Sequence, residues 1–267
     1  MGTTNFPGIK ASGIQNLARR VLVCLRTAAD RGAALLQALP VVLGATELPP
    51  EHLAPAAEEA FRQARKEYFA DTNRVKAAWE FGRACFDWAE FAYRGAEREA
   101  IARQGIAACR HALRLDSNSA PARYYLADNL GQLARSRLIG ALRLVDQMEI
   151  HYLASIRADD QFDNAGAHRS LGMLYLEAPG WPASIGNKKK ARHHLEKAVQ
   201  LAPGYPENQL MLLEAYVRSG ERARVQAQLP TVQTVLDKAR RELTGDEWAW
   251  EWLQWDRLWQ RIKERVE

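Results

Sequence analysis

Residues 165–220 read AGAHRSLGMLYLEAPGWPASIGNKKKARHHLEKAVQLAPGYPENQLMLLEAYVRSG, three apolar stripes at helical spacing separated by hard stops. The first stripe, Leu171, Leu174 and Tyr175, falls on residues 165–177, and Gly172 leaves room there for a neighbouring helix. Pro179, Gly180 and Pro182 end it, because proline lacks a backbone donor and clashes with the preceding turn. Asn187 then offers an N-cap side chain. Behind it Ala191, Leu195, Ala198, Val199 and Leu201 share one face as far as Pro203-Gly204. A third helix starts after Pro206, carries Leu210, Leu213, Tyr216 and Val217, and stops at Gly220, a residue suited to the left-handed C′ position.

This alternation resembles a tetratricopeptide repeat, whose fingerprint is Trp-x2-Leu-Gly-x2-Tyr on the first helix, with small residues and a closing proline on the second. Leu171-Gly172 and Tyr175 match the first part, and Ala191, Leu195, Ala198 and Pro203 match the second. His168 stands at the Trp position, and the segment 177–190 exceeds an ordinary inter-helix turn. That insert carries a second resemblance. The runs Leu-Tyr-Leu-Glu-Ala-Pro-Gly-Trp-Pro (174–182), Gly-Asn-Lys-Lys-Lys-Ala-Arg (186–192) and Pro-Gly-Tyr-Pro-Glu-Asn (203–208) are similar to the T-component family of TRAP transporters. The similarity spans roughly residues 124–220.

Matching first-helix positions recur along the chain. Trp79, Gly82 and Phe86 keep the fingerprint spacing, and Gly82, Leu126, Leu171 and Leu212 lie 44, 45 and 41 residues apart. An unmodified repeat takes about 34 residues, so each unit is extended. The middle unit is expected to gain its length in residues 135–149, where Leu138, Leu142 and Val145 continue a helical face. Repeats are thus placed at residues 75–116, 120–160, 165–203 and 206–243 of a single domain, 51–267. The sequence predicts an all-α fold, a tetratricopeptide-like solenoid of helical hairpins with N- and C-terminal capping helices. The N-terminal cap is residues 51–70, with Leu53, Ala57, Ala60, Phe61, Ala64 and Tyr68 near one face.

The C-terminal cap is residues 246–266. Trp248, Trp252, Trp255 and Trp259 recur there on one face, with Trp250 off it. Burying such a ring is worth about 2–3 kcal/mol, so the face must be covered, by the last repeat or by a partner. Before the cap, residues 225–243 read as a helical segment broken at Pro230.

Alanine, leucine and arginine dominate and β-branched runs are scarce, which favours helix throughout. The net charge of +5 is dispersed, so it does not mark a nucleic-acid surface. The three cysteines, Cys24, Cys85 and Cys109, lack metal-ligand spacing and read as buried thiols. Residues 1–12 read as a lead without helical period, and Pro49-Pro50 close the segment 1–50. Residues 14–39 form one or two amphipathic helices or, with Arg19 and Arg20 ahead of the uncharged stretch 32–46, a degenerate export signal. Cys24 follows Val23 and lacks an apolar run before it, so no lipobox is present. No stretch is long and apolar enough for a membrane span.

No catalytic or cofactor constellation is present: no phosphate loop, no Gly-x-Ser-x-Gly, no His-Glu-x-x-His. His193 and His194 project about 100° apart on a helix and make a poor metal pair. Lys188, Lys189 and Lys190 read as a solvated face or an anionic-partner surface. In a stacked solenoid the first helices line the concave side, which places Tyr124, Asp128, Gln132, Arg169, Met173, Glu177, Leu210, Glu214 and Arg218 there. Asn129 and Asn208 join them, since helices seldom favour asparagine. Trp181 between its prolines reads as a plug at the repeat's end or as part of a ligand wall.

The family resemblance implies a periplasmic, non-enzymatic accessory subunit that binds a TRAP transporter's solute-binding protein. It further implies a homo-trimer with a pore for a small hydrophobic organic ligand. The competing expectation is a cytoplasmic tetratricopeptide scaffold holding a partner peptide in its groove.

Overall fold

The computed structural model describes residues 51–137 and 140–266, all of it helix, turn and loop apart from one isolated bridge between Gly180 and Gly186. The lead 1–50, with its export-signal reading and Cys24, lies outside the described residues, as does Leu138. The described α-helices are α1 (Ala54–Ala70), α2 (Val75–Ala89), α3 (Gly95–Leu115), α4 (Ala120–Arg135) and α5 (Ala141–Ala158). They continue as α6 (Phe162–Glu177), α7 (Lys188–Leu201), α8 (Pro206–Arg218), α9 (Arg222–Glu242) and α10 (Ala249–Glu264). The pairs α2/α3, α4/α5, α6/α7 and α8/α9 are the successive hairpins, and α2, α4, α6 and α8 also pack one on the next to form a continuous inner layer. The fold is an all-α, tetratricopeptide-like solenoid.

Local chemistry sets the boundaries. Asn187 caps α7 by accepting the Lys190 amide at 3.0 Å, and Ser119 caps α4 through the Ala122 amide at 3.4 Å. Gly220 ends α8 with φ at 75°, a left-handed turn that glycine enters without a Cβ penalty. Gly172 does what its place in the fingerprint requires: a Cβ there would stand 2.7 Å from Leu195 Cγ, so α6 and α7 meet through the missing side chain. Cys85 and Cys109 are buried as expected.

Several sequence expectations are corrected. The middle unit does not gain its length by extending a helix through residues 135–149; α4 ends at Arg135 and α5 begins after Gly140. The extra length resides in long second helices of 21, 18 and 21 residues, against 14 for α7. Pro230 does not break α9, which is continuous because the proline sits on its exposed side, where a freed carbonyl meets water. The span of α6 includes three left-handed residues, Asp163, Asn164 and Ala165 with φ of 53°, 55° and 61°, and its right-handed helix follows them, close to the expected start at residue 165.

The tryptophan helix departs most from expectation. Trp255 and Trp259 are buried on the predicted stripe, Trp252 is also covered, and Trp248 lies outside α10 in the preceding 3-10 turn. Trp250, off the stripe, is buried as well, against Leu53, Ala57 and Phe91 at the other end of the solenoid. Thus α10 leans on α8 and α9 with one end and reaches the first hairpin with the other. It is more than a cap on the last repeat: it crosses the inner layer and joins the two ends of the solenoid.

Trp250→Ala is expected to cost about 3–5 kcal/mol in denaturant unfolding, as for other large buried rings. It should also raise amide exchange in residues 51–57 and 88–91 more than in α6 and α7. Uniform exchange across the chain would disprove the end-to-end contact.

Candidate functional site

The inner layer brings together nearly all the residues singled out from the sequence. Tyr124, Asp128, Asn129 and Gln132 on α4, Arg169 and Met173 on α6, and Asn208, Leu210 and Glu214 on α8 are buried. Met173 and Leu210 belong to the apolar core. Glu177 is buried beside the half-covered Arg218, which bridges it at 2.6 Å and Glu214 at 3.0 Å, tying α6 to α8. Trp181 stands apart: 89% exposed, on a loop closed by Gly186 N–H to the Pro179 carbonyl at 2.8 Å. Among the described residues it therefore plugs nothing.

The two asparagines serve as backbone clamps. Asn129 donates to the carbonyls of Gly82 and Tyr125, both at 2.8 Å, locking α4 to α2. Asn208 Nδ2 lies 3.0 Å from the carbonyls of Asn164 and Ala198. Its side-chain oxygen accepts from Arg169 at 3.0 Å. Arg169 in turn faces Glu207 at 3.0 Å and Asp163 at 3.2 Å, with its guanidinium over the Tyr205 ring at 5.0 Å. Together they hold the left-handed turn at the head of α6. Further along, Gln132 and Arg135 both donate to Glu90, at 2.5 and 2.6 Å. Tyr152 donates to Asp128 at 2.6 Å.

Charged residues that the concave-face reading missed complete the site. Arg83 and Asp87 on α2 pair at 3.5 Å and keep 24% and 13% of their side-chain area accessible. Both stand within electrostatic reach of Glu251 on α10, and Arg83 also of Asp163. Aromatic rings pack nearby: Trp79 stacks on Tyr125 at 6.0 Å, Phe162 meets both edge-on, and Tyr205 meets Trp255 edge-on at 5.7 Å. Glu251 is wholly buried, and neither of its carboxyl oxygens has a hydrogen-bond partner. The spacing of Arg83 and Asp87 on one helix face was readable; that α10 would bring Glu251 over them was not.

Electrostatics follow from this enclosure. Burial pushes the carboxyls of Glu251 and Asp128 well above the usual range, Asp87 and Glu207 adding to the effect on Glu251 and Asp163 to that on Asp128. Burial alone would weaken the Arg169 cation, but Glu207 and the neighbouring groups outweigh it and keep the guanidinium charged. On the other side of α6, His168 and His194 face each other with Nδ1 atoms 2.9 Å apart, and the His193 ring meets that of His194 at 5.3 Å. Burial, with His168 and His193 nearby, lowers His194 to about 4. Among the described residues no histidine, cysteine or carboxylate group is clustered as a metal site. Lys190 packs over the Tyr175 ring at 4.8 Å and faces Glu149 at 3.6 Å.

Two outcomes are expected. Asn208→Ala strips partners from Arg169 and from the Asn164 carbonyl and should cost about 1–3 kcal/mol in chemical denaturation; a loss under about 0.5 kcal/mol would contradict the clamp. His194 is held below its unfolded value, so the folded state binds fewer protons than the unfolded one between about 4 and 6.5. Its contribution is complete above that window and lost as pH falls through it. Glu251 and Asp128 act with the opposite sign, losing stability as pH rises above the ordinary carboxylate range. The histidine effect is therefore isolated by difference: His194→Gln should flatten the fall in stability between pH 6.5 and 4, and parallel wild-type and variant curves would contradict it.

No family model matches this chain, and no curated protein matches it. Among solved structures, a crystal structure of MamA is 18% identical with a TM-score of 0.49, covering 72% of this chain and 95% of that one. A second MamA crystal structure is 16% identical with a TM-score of 0.47, covering 87% and 97%. The crystal structure of yeast Tom70 is 12% identical with a TM-score of 0.30, covering 99% of this chain and 66% of that one. At these values the fold assignment rests on the chain's own helices and their packing.

Proposed function

We propose that the protein is a non-enzymatic helical-repeat binding protein whose closed solenoid takes up a small organic ligand. In this reading it serves as an accessory T-component of a TRAP-type solute transporter, works in the periplasm, assembles as a homo-trimer and meets a solute-binding protein. The observation that supports the ligand role is the crossing of α10 over the inner layer, which buries Glu251, its carboxyl oxygens without hydrogen-bond partners, within electrostatic reach of Arg83 and Asp87. Support for the transporter role is the sequence resemblance at residues 174–182, 186–192 and 203–208. The exposed Trp181 on the first of these runs gives a partner protein an aromatic anchor.

The competing reading is a cytoplasmic scaffold that holds a peptide in an open groove. A peptide on the inner layer would have to displace α10, and Asn129, Gln132 and Asn208 already spend their amides on this chain. A scaffold of this fold would bind on its outer surfaces instead.

The decisive experiment titrates the purified chain with a panel of small organic solutes, reading tryptophan fluorescence and melting temperature. It runs beside surface binding to a solute-binding protein encoded next to TRAP membrane subunits. A ligand at 100 times its Kd should stabilise by about 2.7 kcal/mol. Peptide binding with no response to any solute would sink the ligand role. Confinement to the cytosol, or no affinity for the solute-binding protein, would sink the transporter role.

A further inference from the structure

Trp181, 89% exposed, is the most exposed large apolar side chain among the described residues. Tyr93 and Phe69 come next, but Tyr93 donates to Glu51, and Phe69 lies against Tyr68 with Arg65 over its ring. Trp181 has no such contact: among the described residues its ring stacks on nothing and its indole N–H donates to nothing. The loop that carries it is nevertheless firmly closed. Gly186 N–H donates to the Pro179 carbonyl at 2.8 Å, Ala183 N–H to that of Gly180 at 3.1 Å, and Asn187 N–H to that of Tyr175 at 2.9 Å. A Cβ at Gly186 would stand 2.0 Å from the Ala178 carbonyl oxygen, so the loop closes there only through glycine. A ring held in water on a fixed loop gains apolar burial when a partner covers it and loses little further entropy.

The same loop leads into a basic helix start. Trp181 is one residue from the Gly180–Gly186 bridge and Lys188 is two, so chain reach keeps their Cα atoms within about 17 Å. The first turn of α7 holds Lys188, Lys189 and Lys190, all exposed, and no acid. Cations at a helix N-terminus oppose its dipole, a cost that carboxylates brought by a partner would offset. Lys188 Nζ lies 3.4 Å from the Arg218 carbonyl, and Lys190 lies over the Tyr175 ring beside Glu149. Two of the three are thus held in fixed directions, and Lys189 has no partner among the described residues.

We propose that this corner, Trp181 with the lysines that open α7, docks an acidic face of the solute-binding protein, the ring entering an apolar recess rimmed by carboxylates. The assignment rests on the transporter role proposed above and names the partner's chemistry at the contact. Aromatic side chains in a desolvated recess carry much of the energy of protein interfaces, while charges at the rim set approach and register. A lipid surface fits less well. Glu149 and Glu221 lie among these cations and dilute the net charge a bilayer would read, whereas a folded partner can match a fixed pattern of charges.

The test measures surface binding of the full chain to the solute-binding protein encoded beside TRAP membrane subunits, at low and at high salt. Trp181→Ala should weaken binding at least about tenfold and leave the melting temperature unchanged, since the ring packs on nothing. Lys189→Glu should weaken it about three- to tenfold at low salt through slower association, and the deficit should shrink at high salt. Phe69→Ala, an exposed aromatic on α1, should bind as the wild type does. Unchanged affinity in the Trp181 and Lys189 variants, with the partner still bound, would overturn this surface and leave the transporter role standing. Tighter binding by Lys189→Glu would overturn the acidic assignment. Trp181-dependent binding to vesicles of phosphatidylcholine and phosphatidylglycerol, or Trp181-dependent self-association, without affinity for the protein partner, would hand the corner to another occupant and overturn it too. If the solute-binding protein does not bind at all, the inference falls with the transporter role.

Discussion

Charged and amide side chains have been taken out of water beneath a lid of tryptophans, and the remaining interactions answer to that constraint. A buried charge survives only when paired and hydrogen-bonded. The inner layer meets the demand with cross-helix partners: Glu90 with Gln132 and Arg135 joins α2 to α4, Asp128 with Tyr152 joins α4 to α5, and Arg169 with Glu207 and Asn208 joins α6 to α8. Each bond links elements far apart in sequence, so the network fixes the stacking angle of hairpins that apolar contacts alone would leave free to slide. On α10 the carboxyl oxygens of Glu251 and the indole N–H groups of Trp250 and Trp255 are buried without hydrogen-bond partners.

The left-handed turn at residues 163–165 fits the same account. Left-handed backbone costs about 1–2 kcal/mol per residue for ordinary side chains, less for aspartate and asparagine, so Ala165 bears most of the strain. Its carbonyls are held by Arg169 and Asn208, groups that also satisfy α7 and α8. The turn swings Phe162 back against Tyr124 and Tyr125 at 5.7 and 6.1 Å, so one strained segment supplies an aromatic contact and a partner acid for Arg169.

Much of this was legible in the chain itself. Helical periods, prolines and glycines placed the hairpins, because those signals act within one turn. Gly172 and Asn187 could be assigned their jobs from position alone. Spacing on an amphipathic helix put the expected concave-face residues on the inner layer, but most of them are buried in its packing, Met173 and Leu210 in the apolar core, and do not line an open face. What spacing could not tell was whether that face stays open. Closure depends on Trp250 meeting Leu53 and Phe91, a contact spanning most of the chain, and no local pattern encodes the path α10 takes. For the same reason nothing in the local sequence singled out Arg83, Asp87 and Glu251, which the fold brings within electrostatic reach of one another. Pro230 misled in the other direction, because a proline stops a helix reliably only where its freed carbonyl is denied water.

The lid is held unequally along its length. Its C-terminal half is tied to α9 by polar contacts: Trp259 donates to Gln233 at 3.2 Å, Gln226 to the Val266 carbonyl at 3.2 Å, and Arg240 pairs with Asp256 while covering the Trp252 ring. Nearer its N-terminus Trp252 donates to the Leu243 carbonyl at 2.7 Å, and Trp250 rests in an apolar cluster with Leu53 and Phe91. Apolar contact is non-directional and tolerates sliding, whereas hydrogen bonds break when partners shift by an ångström. The contact that joins the two ends of the solenoid is therefore the apolar one, which tolerates small shifts that the polar ties to α9 resist, and Glu251 is buried beside it.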